Sequence, residues 1–315
     1  MSKETPLFSI VITCYNRAQF LEMAVDSVLK QSIPSLELLV IDDGSSQVYE
    51  DVIRRTCTKD DRIIYVRNEI NQGVSHARNI GVKRANGAYI SFLDDDDTLH
   101  HSFLETALKT FDSQPGCDIA ISFSTVHPDS NKRLFHYHVV KETLKRQPIR
   151  RIYGRPQAAL LLKYPPQINS MVFDRHVFDD NVFDESLHFG EDIYLWHRFL
   201  DSNFHFGKKP DTEAKVFVRI HGDRHLSQAT HDDVVTFLKR IRSDFIYFGK
   251  PFRVTVNFKL FMRFLLMKDA RNATGYLLSG LRSPLQFCHI LLSQLRLKIN
   301  VLTSYLLYRF FRIDL

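Results

Sequence analysis

The chain has 315 residues, of which 44% are hydrophobic and 25% are charged. This length suits one sizeable domain with an appended segment, and the composition excludes a disordered, collagen-like or coiled-coil chain. The net charge of +6 is uneven, because residues 235–315 carry 14 basic and 3 acidic side chains while the part before them carries 28 basic and 33 acidic ones. An acidic front part, with a net charge of −5, is therefore joined to a basic tail with a net charge of +11.

The front part alternates segments typical of strands and helices. Short β-branched apolar runs predict strands at residues 7–13, 36–41, 62–66, 88–93 and 118–123. Apolar residues at three- and four-residue spacing predict helices at residues 19–31, 74–84 and 99–111. The alternation predicts an α/β fold, a Rossmann-like, mostly parallel sheet with helices on both faces. Sheets of this kind bind ligands beyond the carboxyl ends of their strands.

The pattern is less regular in the second half of the chain. An alternating stretch near residues 133–139, a helix near 155–162, a strand at 168–173 and a helix beginning near Glu191 are expected. Beyond Asp233 the sequence predicts basic helices. The four cysteines are far apart and lack zinc-ligand spacing, and the first residues lack the apolar stretch of a secretory signal, so we expect a cytoplasmic protein with reduced thiols.

An acidic run, Asp94, Asp95, Asp96 and Asp97, follows one predicted strand. Adjacent carboxylates repel one another, so the run suggests a bound cation, and oxygen-only ligands favour Mg²⁺ or Mn²⁺. The alternative is a solvated acidic turn at the start of the next helix.

A second acidic pair, Asp42 and Asp43, follows the neighbouring strand and precedes Gly44. These carboxylates could accept hydrogen bonds from a base imide and ribose hydroxyls, while the glycine permits a tight turn. An ordinary β-turn would explain the same residues.

Four motifs follow one another over about the first hundred residues. They are residues 10–17 (IVITCYNR), 40–45 (VIDDGS), 71–73 (NQG) with 77–79 (ARN), and 89–97 (YISFLDDDD). Together they resemble the family 2 glycosyltransferases of the GT-A fold, and a weaker resemblance extends to about Ser227. It implies a catalytic domain over residues 1–233, with a nucleotide and metal half at 1–115 and an acceptor half at 116–233. Residues 234–315 would form the helical extension.

The resemblance implies how the nucleotide would be held. Thr13, Tyr15, Arg17 and Asp43 match the nucleotide-binding positions, with Tyr15 stacking on the base and Asp43 accepting a hydrogen bond from it. Arg78 would lie near the ribose or the diphosphate.

The acidic run matches the family's Asp-x-Asp motif. Asp96 would be the main ligand of Mn²⁺ or Mg²⁺, and Asp94 would assist at the ribose or the metal. Asp95, at the middle position, and Asp42 are assigned to the nucleotide-sugar site. A divalent ion that bridges two phosphates would offset the charge that builds on the leaving diphosphate.

Residues 189–196 resemble the family's Glu-Asp motif at the start of an acceptor-side helix. Asp192 would be the base that deprotonates the acceptor hydroxyl, with Glu191 as helper or alternative. Two carboxylates that favour a helix N-terminus would also explain the pair.

Residues 218–221, with Leu226 and Ser227 shortly after, resemble the family segment that closes over the diphosphate. There His221 would bind the metal or a phosphate oxygen, and Arg219 or Arg224 would neutralise charge.

The implied function is an inverting transfer of a hexosyl or N-acetylhexosaminyl group from a nucleotide diphosphate sugar, with a UDP-sugar favoured. The acceptor would be a glycan or a lipid-linked glycan in surface polysaccharide or lipopolysaccharide biosynthesis. One alternative is a nucleotidyltransferase, whose glycine-containing phosphate loop residues 13–17 lack. The other is an inactive membrane-associated sugar-nucleotide or glycan binder, against which Asp96 and Asp192 argue.

The basic tail mixes large apolar and cationic residues, as in residues 258–266. Its longest uncharged apolar stretch, residues 283–295, is shorter than the roughly 20 residues of a bilayer span. The tail therefore predicts an interfacial helix at the anionic inner face of the cytoplasmic membrane. A helical appendage packed on the catalytic domain is the alternative, and nucleic acid is not an expected partner because no reader motif accompanies the charge.

Overall fold

The computed structural model describes residues 5–126, 166–180, 182–202, 204–208, 214–219, 230–245, 256 and 259–260. The segments predicted near residues 133–139 and 155–162 lie outside these ranges, as do His221, Arg224 and most of the basic tail.

Ten strands and six helices are described. The strands are β1 (Phe8–Cys14), β2 (Leu36–Asp42), β3 (Ile63–Arg67), β4 (Tyr89–Asp94), β5 (Thr98–Leu99), β6 (Ile119–Ile121), β7 (Phe123–Val126), β8 (Met171–Asp174), β9 (Phe206–Lys208) and β10 (Ala214–Val218). The helices are α1 (Leu21–Leu29), α2 (Gln47–Cys57), α3 (Val74–Arg84), α4 (Phe103–Ser113), α5 (Glu191–Asp201) and α6 (His231–Asp244). Short 3₁₀ turns lie at Ile168–Ser170 and Arg175–Phe178.

The strands form a seven-stranded sheet in the order β3-β2-β1-β4-β8-β6-β9. The first four strands are parallel, β8 runs antiparallel to both β4 and β6, and β6 and β9 are parallel. A second sheet has the order β5-β10-β7. The prediction of an α/β fold with a mostly parallel sheet is confirmed.

The core is formed where the central strands meet α1. All seven residues of β2 are buried, as expected for a strand covered on both faces. On α1, Leu21, Ala24, Val25 and Val28 are buried at the predicted helical spacing. Each fully buried large apolar side chain stabilises the fold by about 1.5–3 kcal/mol.

One helix was missed from the sequence, and the starts of another helix and of one strand were predicted too early. α2 was not predicted, because its buried face includes Glu50 and Thr56 beside Ile53 and Cys57, which hides the apolar periodicity. The helix expected from residue 99 begins at Phe103, since residues Thr98–Leu99 pair instead with β10. The strand expected from residue 168 begins with a 3₁₀ turn, and its β part, β8, starts at Met171.

The chain divides into two compact units. The first comprises Met1–Ser130, Pro166–Ser186 and Arg198–Ile220, and the second comprises Asn131–Pro165, Leu187–His197 and His221–Leu315. Within the second unit the Tyr194 hydroxyl donates to Asp244 Oδ2 at 2.8 Å. The predicted domain boundary between residues 233 and 234 lies within α6, and the domain division stays a prediction.

No helix in the described ranges is long and apolar enough to cross a bilayer.

Candidate active site

The strand register brings several predicted site residues to one edge of the larger sheet. Thr13 lies opposite both Ile41 and Asp94, and Cys14 lies opposite Asp42. β1, β2 and β4 are parallel, so their carboxyl ends meet at this edge, which is where α/β sheets bind ligands. The sheet thus brings together three residues that are far apart in the sequence, namely Thr13, Asp42 and Asp94.

The loops after β1 and β2 are bonded to each other. The Asn16 N–H donates to Ser45 Oγ at 2.9 Å, and the Ser46 N–H donates to Asn16 Oδ1 at 2.8 Å. Asn16 has φ +49°, a left-handed conformation that asparagine tolerates better than most residues. The adjacent Tyr15 side chain is 46% exposed, so its ring is accessible to a stacking partner.

Asp42 is fully buried and uses its oxygens within the protein. It accepts from the Ser45 N–H and from the Tyr65 hydroxyl, both at 2.9 Å, and Arg67 Nη1 lies 3.6 Å away. Burial and the Asp42 carboxylate both raise the pKa of Tyr65, so this hydroxyl stays protonated and keeps donating. These contacts make Asp42 an anchor of the loop, and a direct role at the nucleotide stays a prediction.

Asp43 is 4% exposed and holds the loop that contains the NQG motif. Its carboxylate accepts from Asn68 Nδ2 at 2.7 Å, from the Gln72 N–H at 3.2 Å and from the Gly73 N–H at 2.8 Å. A base N–H that binds Asp43 would join or displace these donors. Asn68 was not identified from the sequence, where a single asparagine after a strand carries no signal.

The turn after β2 has no room for a side chain at Gly44. This glycine has φ +77°, and a Cβ placed on it would lie 2.6 Å from the Ile70 carbonyl carbon and 2.7 Å from the Asn71 nitrogen. The loops after β2 and β3 therefore approach each other at backbone distance.

The acidic run separates into carboxylates with different surroundings. The Asp94 side chain is 43% exposed and lies 3.3 Å from Arg78 Nη2. Asp95 is buried and binds Arg17 Nε at 3.0 Å, while Arg17 Nη1 lies 3.1 Å from Asp96 Oδ2. Arg17 thus joins the loop after β1 to the end of β4.

Asp97 faces a different set of partners. It is 2% exposed, accepts from the Arg219 N–H at 2.8 Å and accepts from Asn169 Nδ2. Arg219 Nε also donates to the Asp96 carbonyl oxygen at 3.3 Å, and its guanidinium lies over the Phe20 ring at 4.6 Å. Asn169 was missed in the sequence.

Burial changes the acidity of two of these carboxyls. Burial raises the pKa of Asp95 to about 7, although the Arg17 hydrogen bond and charge oppose the shift. Burial, followed by the charges of Asp94 and Asp96, raises the pKa of Asp97 well above its usual range. Burial thus favours the neutral forms of these two carboxyls, whereas the Arg17 contact favours the charged form of Asp95.

Arg78 is 5% exposed and lies on α3. Its guanidinium lies 5.5 Å from the Phe183 ring centroid and contacts Asp94. Arg17 and Arg78 therefore approach the acidic run from two different elements.

Glu191 and Asp192 form the first turn of α5, in the second unit. Asp192 Oδ1 accepts from the Ile193 N–H at 2.7 Å. Gly190, just before the helix, has φ +73°, and a Cβ there would lie 2.7 Å from the Phe237 ring. The glycine therefore fixes where α5 begins, and the catalytic roles of the two carboxylates stay predictions.

The chain is similar to a known family of proteins. The model described as "Glycosyl transferase family 2" matches residues 9–185, more than half of the chain. The chain belongs to glycosyl transferase family 2. The resemblance carried by the four sequence motifs is thereby confirmed.

Relatives of this family 2 chain match mainly through one segment. An uncharacterized glycosyltransferase of Haemophilus influenzae is 41% identical over 104 residues, which cover 33% of this chain and 42% of that protein. The putative teichuronic acid biosynthesis glycosyltransferase TuaG of Bacillus subtilis is 38% identical over 109 residues, covering 35% and 43%. The matched segments span less than half the length of these curated relatives.

Solved structures show the same fold over most of the chain. TarS 1–349 of S. aureus, in complex with UDP-GlcNAc, has a TM-score of 0.56 at 16% identity and covers 85% of this chain and 90% of that one. Mannosyltransferase PcManGT of Pyrobaculum calidifontis, in complex with GDP-Man and Mn²⁺, has a TM-score of 0.51 at 16% identity and covers 99% and 89%. The family 2 chain thus has the GT-A fold.

Proposed function

We propose that this chain is an inverting glycosyltransferase that moves a hexosyl or N-acetylhexosaminyl group from a UDP-sugar to a glycan or lipid-linked acceptor. The observation that carries the proposal is the junction at the ends of β1 and β4, where Arg17 binds Asp95 and Asp96 while Asp94 keeps a 43% exposed carboxylate. Such a junction places cations and carboxylates together at the ligand edge of the sheet. The cationic side chains suit a diphosphate, and the carboxylates suit a divalent ion.

The nucleotide would lie across the bonded loops after β1 and β2. Tyr15 offers an accessible ring for the base, and Thr13 lies half-buried beside it at the end of β1. Arg17 and Arg78 would stabilise the negative charge that develops on the leaving diphosphate. Asp42 and Asp43 would act by shaping this loop, with Asp43 also accepting from the base.

The donor set fits Mn²⁺ or Mg²⁺. In the described ranges, no group of three or more acidic, histidine or cysteine side chains converges to hold a metal. Mg²⁺-type sites, however, commonly use one or two carboxylates together with substrate phosphates. Asp96 and Asp94 would hold the ion, and Asp96 would have to share or exchange its contact with Arg17. His221 lies outside the described residues, and its role as a third ligand stays a prediction from the sequence. When bound, the ion would neutralise diphosphate charge.

Inversion needs a base on the opposite side of the sugar from the departing diphosphate. Asp192 would take the proton from the acceptor hydroxyl as its oxygen attacks the anomeric carbon, and Glu191 would help or replace it. Both carboxylates lie in the first turn of α5, directly after Gly190. Because Gly190 packs against the Phe237 ring, the start of the helix and the two carboxylates have a defined position.

The similarity to TuaG, a putative teichuronic acid biosynthesis glycosyltransferase, favours a role in surface glycans. We propose surface polysaccharide or lipopolysaccharide assembly as the pathway class. We further propose that the +11 tail docks on the anionic inner face of the cytoplasmic membrane, where each cation contributes about 1 kcal/mol.

The test is calorimetric titration of the purified chain with UDP-sugars and GDP-mannose, with and without Mn²⁺, followed by detection of released nucleoside diphosphate. We expect Mn²⁺-dependent binding of one donor and release of UDP, not of pyrophosphate. A ligand at 100 times its dissociation constant also adds about 2.7 kcal/mol to the free energy of unfolding.

Asp96→Asn should abolish the Mn²⁺-dependent part of donor binding while the protein stays folded. The matched control is Asp112→Asn, which removes an exposed carboxylate on α4. Unchanged donor affinity of the Asp96 variant with Mn²⁺ present would refute the metal assignment, and absence of any donor binding by the natural chain would refute the function.

A further inference from the structure

Two buried amide oxygens without a hydrogen-bond partner lie in one short turn. Among the residues that the structure describes, the buried side-chain atoms without a partner are Ser75 Oγ, Gln167 Oε1 and Asn169 Oδ1. Gln167 and Asn169 belong to the turn at residues 167–170, and Asn169 is 2% exposed. A buried polar atom without a partner costs free energy, so native proteins rarely keep one without a reason.

The turn lies at the ligand edge of the sheet. β8 follows the turn and runs antiparallel to β4, with Ser91 opposite Val172 and Tyr89 opposite Asp174. β8 therefore begins at the edge where β4 ends. The Ser122 N–H donates to the Ser170 carbonyl oxygen at 2.8 Å and fixes the turn there.

Asn169 connects the turn to the acidic run. Its Nδ2 donates to Asp97, whose other oxygen accepts from the Arg219 N–H at 2.8 Å. The Asn169 amide presents its NH₂ group to Asp97 Oδ2, and its Oδ1 lies on the other side of the amide without a partner. The orientation of the unpaired acceptor is thus set by its neighbour.

We propose that residues 167–170 form the subsite for the transferred sugar, with Gln167 Oε1 and Asn169 Oδ1 accepting hydrogen bonds from its hydroxyl or acetamide N–H groups. The proposal rests on the proposed function and adds the residues that distinguish one sugar from another. Two hydrogen-bond acceptors in one turn match the hydroxyl and acetamide N–H groups at the edge of a pyranose ring. The turn is next to the carboxylates proposed for the metal and diphosphate, the end of the donor to which the sugar is attached.

A site that hydrogen-bonds a hydroxyl rejects the analogue that lacks it, because its buried polar groups are then left unpaired. The unpaired oxygens therefore destabilise the free protein, and the bound sugar removes that penalty. Stability without ligand and affinity for the sugar should change in opposite directions when an acceptor is removed.

The experiment measures the sugar-dependent part of affinity, defined as the ratio of the Kd for UDP to the Kd for the best-bound UDP-sugar, both with Mn²⁺. UDP-glucose, UDP-galactose and UDP-N-acetylglucosamine are the probes, and GDP with GDP-mannose replaces them if only that donor binds. Gln167→Met removes one acceptor at nearly constant shape. It should raise Tm by about 2–4 °C and lower the affinity ratio about threefold to tenfold, with little change in the Kd for UDP.

The matched control is Gln31→Met. Gln31 is a buried amide with all its partners, since Nε2 donates to the Ser27 and His100 carbonyl oxygens at 3.0 and 2.9 Å and Oε1 accepts from the Leu104 N–H at 3.1 Å. This change should lower Tm and leave the affinity ratio unaltered. Asn169→Leu supplies a second variant. It also removes the Nδ2 donor to Asp97, so its Tm should fall, while its affinity ratio should drop at least as much as that of Gln167→Met.

An unchanged affinity ratio in both Gln167→Met and Asn169→Leu, whatever their Tm, would overturn the subsite and leave the proposed function intact. Equal affinity of the natural chain for the nucleotide and every sugar nucleotide would overturn it as well. No binding of any probe would instead reject the proposed function together with the subsite.

Discussion

Arg17 is the side chain on which the candidate site most depends. It binds Asp95 and Asp96 from a loop that is 78 residues away in sequence from Asp95. Its charge opposes the effect of burial on the Asp95 carboxyl, whose pKa is nevertheless raised to about 7. One cation thus offsets part of the repulsion between two adjacent carboxylates.

Asp192 gives a prediction about turnover. Asp192→Asn keeps the shape of the side chain but removes its basicity, so donor affinity should persist while kcat falls by about 10²–10⁴-fold. Steady-state kinetics with calorimetry of donor binding measures both. Near-normal transfer would assign the base elsewhere, and Glu191→Gln would then be measured first.

His176 gives a prediction about pH. Its Nδ1 lies 2.6 Å from Asp174 Oδ1 and its Nε2 lies 3.1 Å from Asp118 Oδ1. Burial lowers the pKa of His176, but the hydrogen bond and charge of Asp174, followed by Asp118, outweigh that effect and raise it. A raised pKa in the folded state means that this stabilisation is complete below the unfolded value of about 6.5 and is lost as pH rises through the folded value.

The Tm difference between the natural chain and His176→Asn should therefore be larger at pH 6 than at pH 9. Differential scanning calorimetry at several pH values measures it. A difference for His176→Asn that is constant with pH would contradict the assignment of the two carboxylates as its partners.

At the level of elements, α3 packs on β1 through Gly81. A Cβ on Gly81 would meet both methyl groups of Val11, which is 1% exposed in the central strand. Gly81→Ala should therefore lower the free energy of unfolding by about 1–3 kcal/mol, since overpacking exceeds the roughly 1 kcal/mol that alanine gains in a helix. Urea unfolding measures the change.

Val11→Ala should relieve this overlap. It leaves a cavity in the natural chain, but combined with Gly81→Ala it should cost less than the sum of the two single changes. Strict additivity in this double-mutant cycle would show that the two residues do not conflict.

The elements also indicate what could be predicted from sequence. α3 was predicted with its observed bounds, because its start follows a glycine turn and its end precedes a strand. α2 could not be predicted, since Glu50 is buried by its contacts with Arg54 and Arg67, which local periodicity does not report. β5 depends on pairing with β10, which is more than a hundred residues away, so its sequence alone resembles a helix start.

The candidate site, like the elements, was predicted only where local sequence was sufficient. The motifs identified the carboxylates at the strand ends, but they could not show that Asp43 binds the NQG loop or that Asp97 binds Asn169. Those pairings arise from chain segments brought together by the sheet. The acceptors of the turn at residues 167–170 were therefore missed, while the acidic residues beside them were found.

At the scale of the whole molecule, charge separates the chain into an acidic front part and a tail of +11. If the tail docks by charge, binding to anionic vesicles should weaken strongly with salt, because the screening length falls from about 10 Å at 0.1 M to about 3 Å at 1 M. Vesicle co-sedimentation at several salt concentrations measures this, and neutral vesicles should bind much less.

Removal of the residues from Ser283 onward provides the control. It should lower vesicle binding and leave transfer to a soluble acceptor unchanged, because every proposed catalytic residue precedes that position. Equal vesicle binding by the full and shortened chains would show that residues 283–315, which carry 4 of the 14 basic side chains of the tail, are not needed for docking.

The contacts of Asp43 have a consequence for amide exchange with solvent deuterium. The Gln72 and Gly73 N–H groups donate to its carboxylate, so in the free protein they should exchange slowly for a loop. A nucleotide base that takes the same oxygens would release those amides. Mass spectrometry should then find that donor binding speeds deuterium uptake in the loop that contains Gln72 and Gly73, although uptake should slow elsewhere at the site. Slower uptake in this loop would mean that the base adds to the existing donors without displacing them.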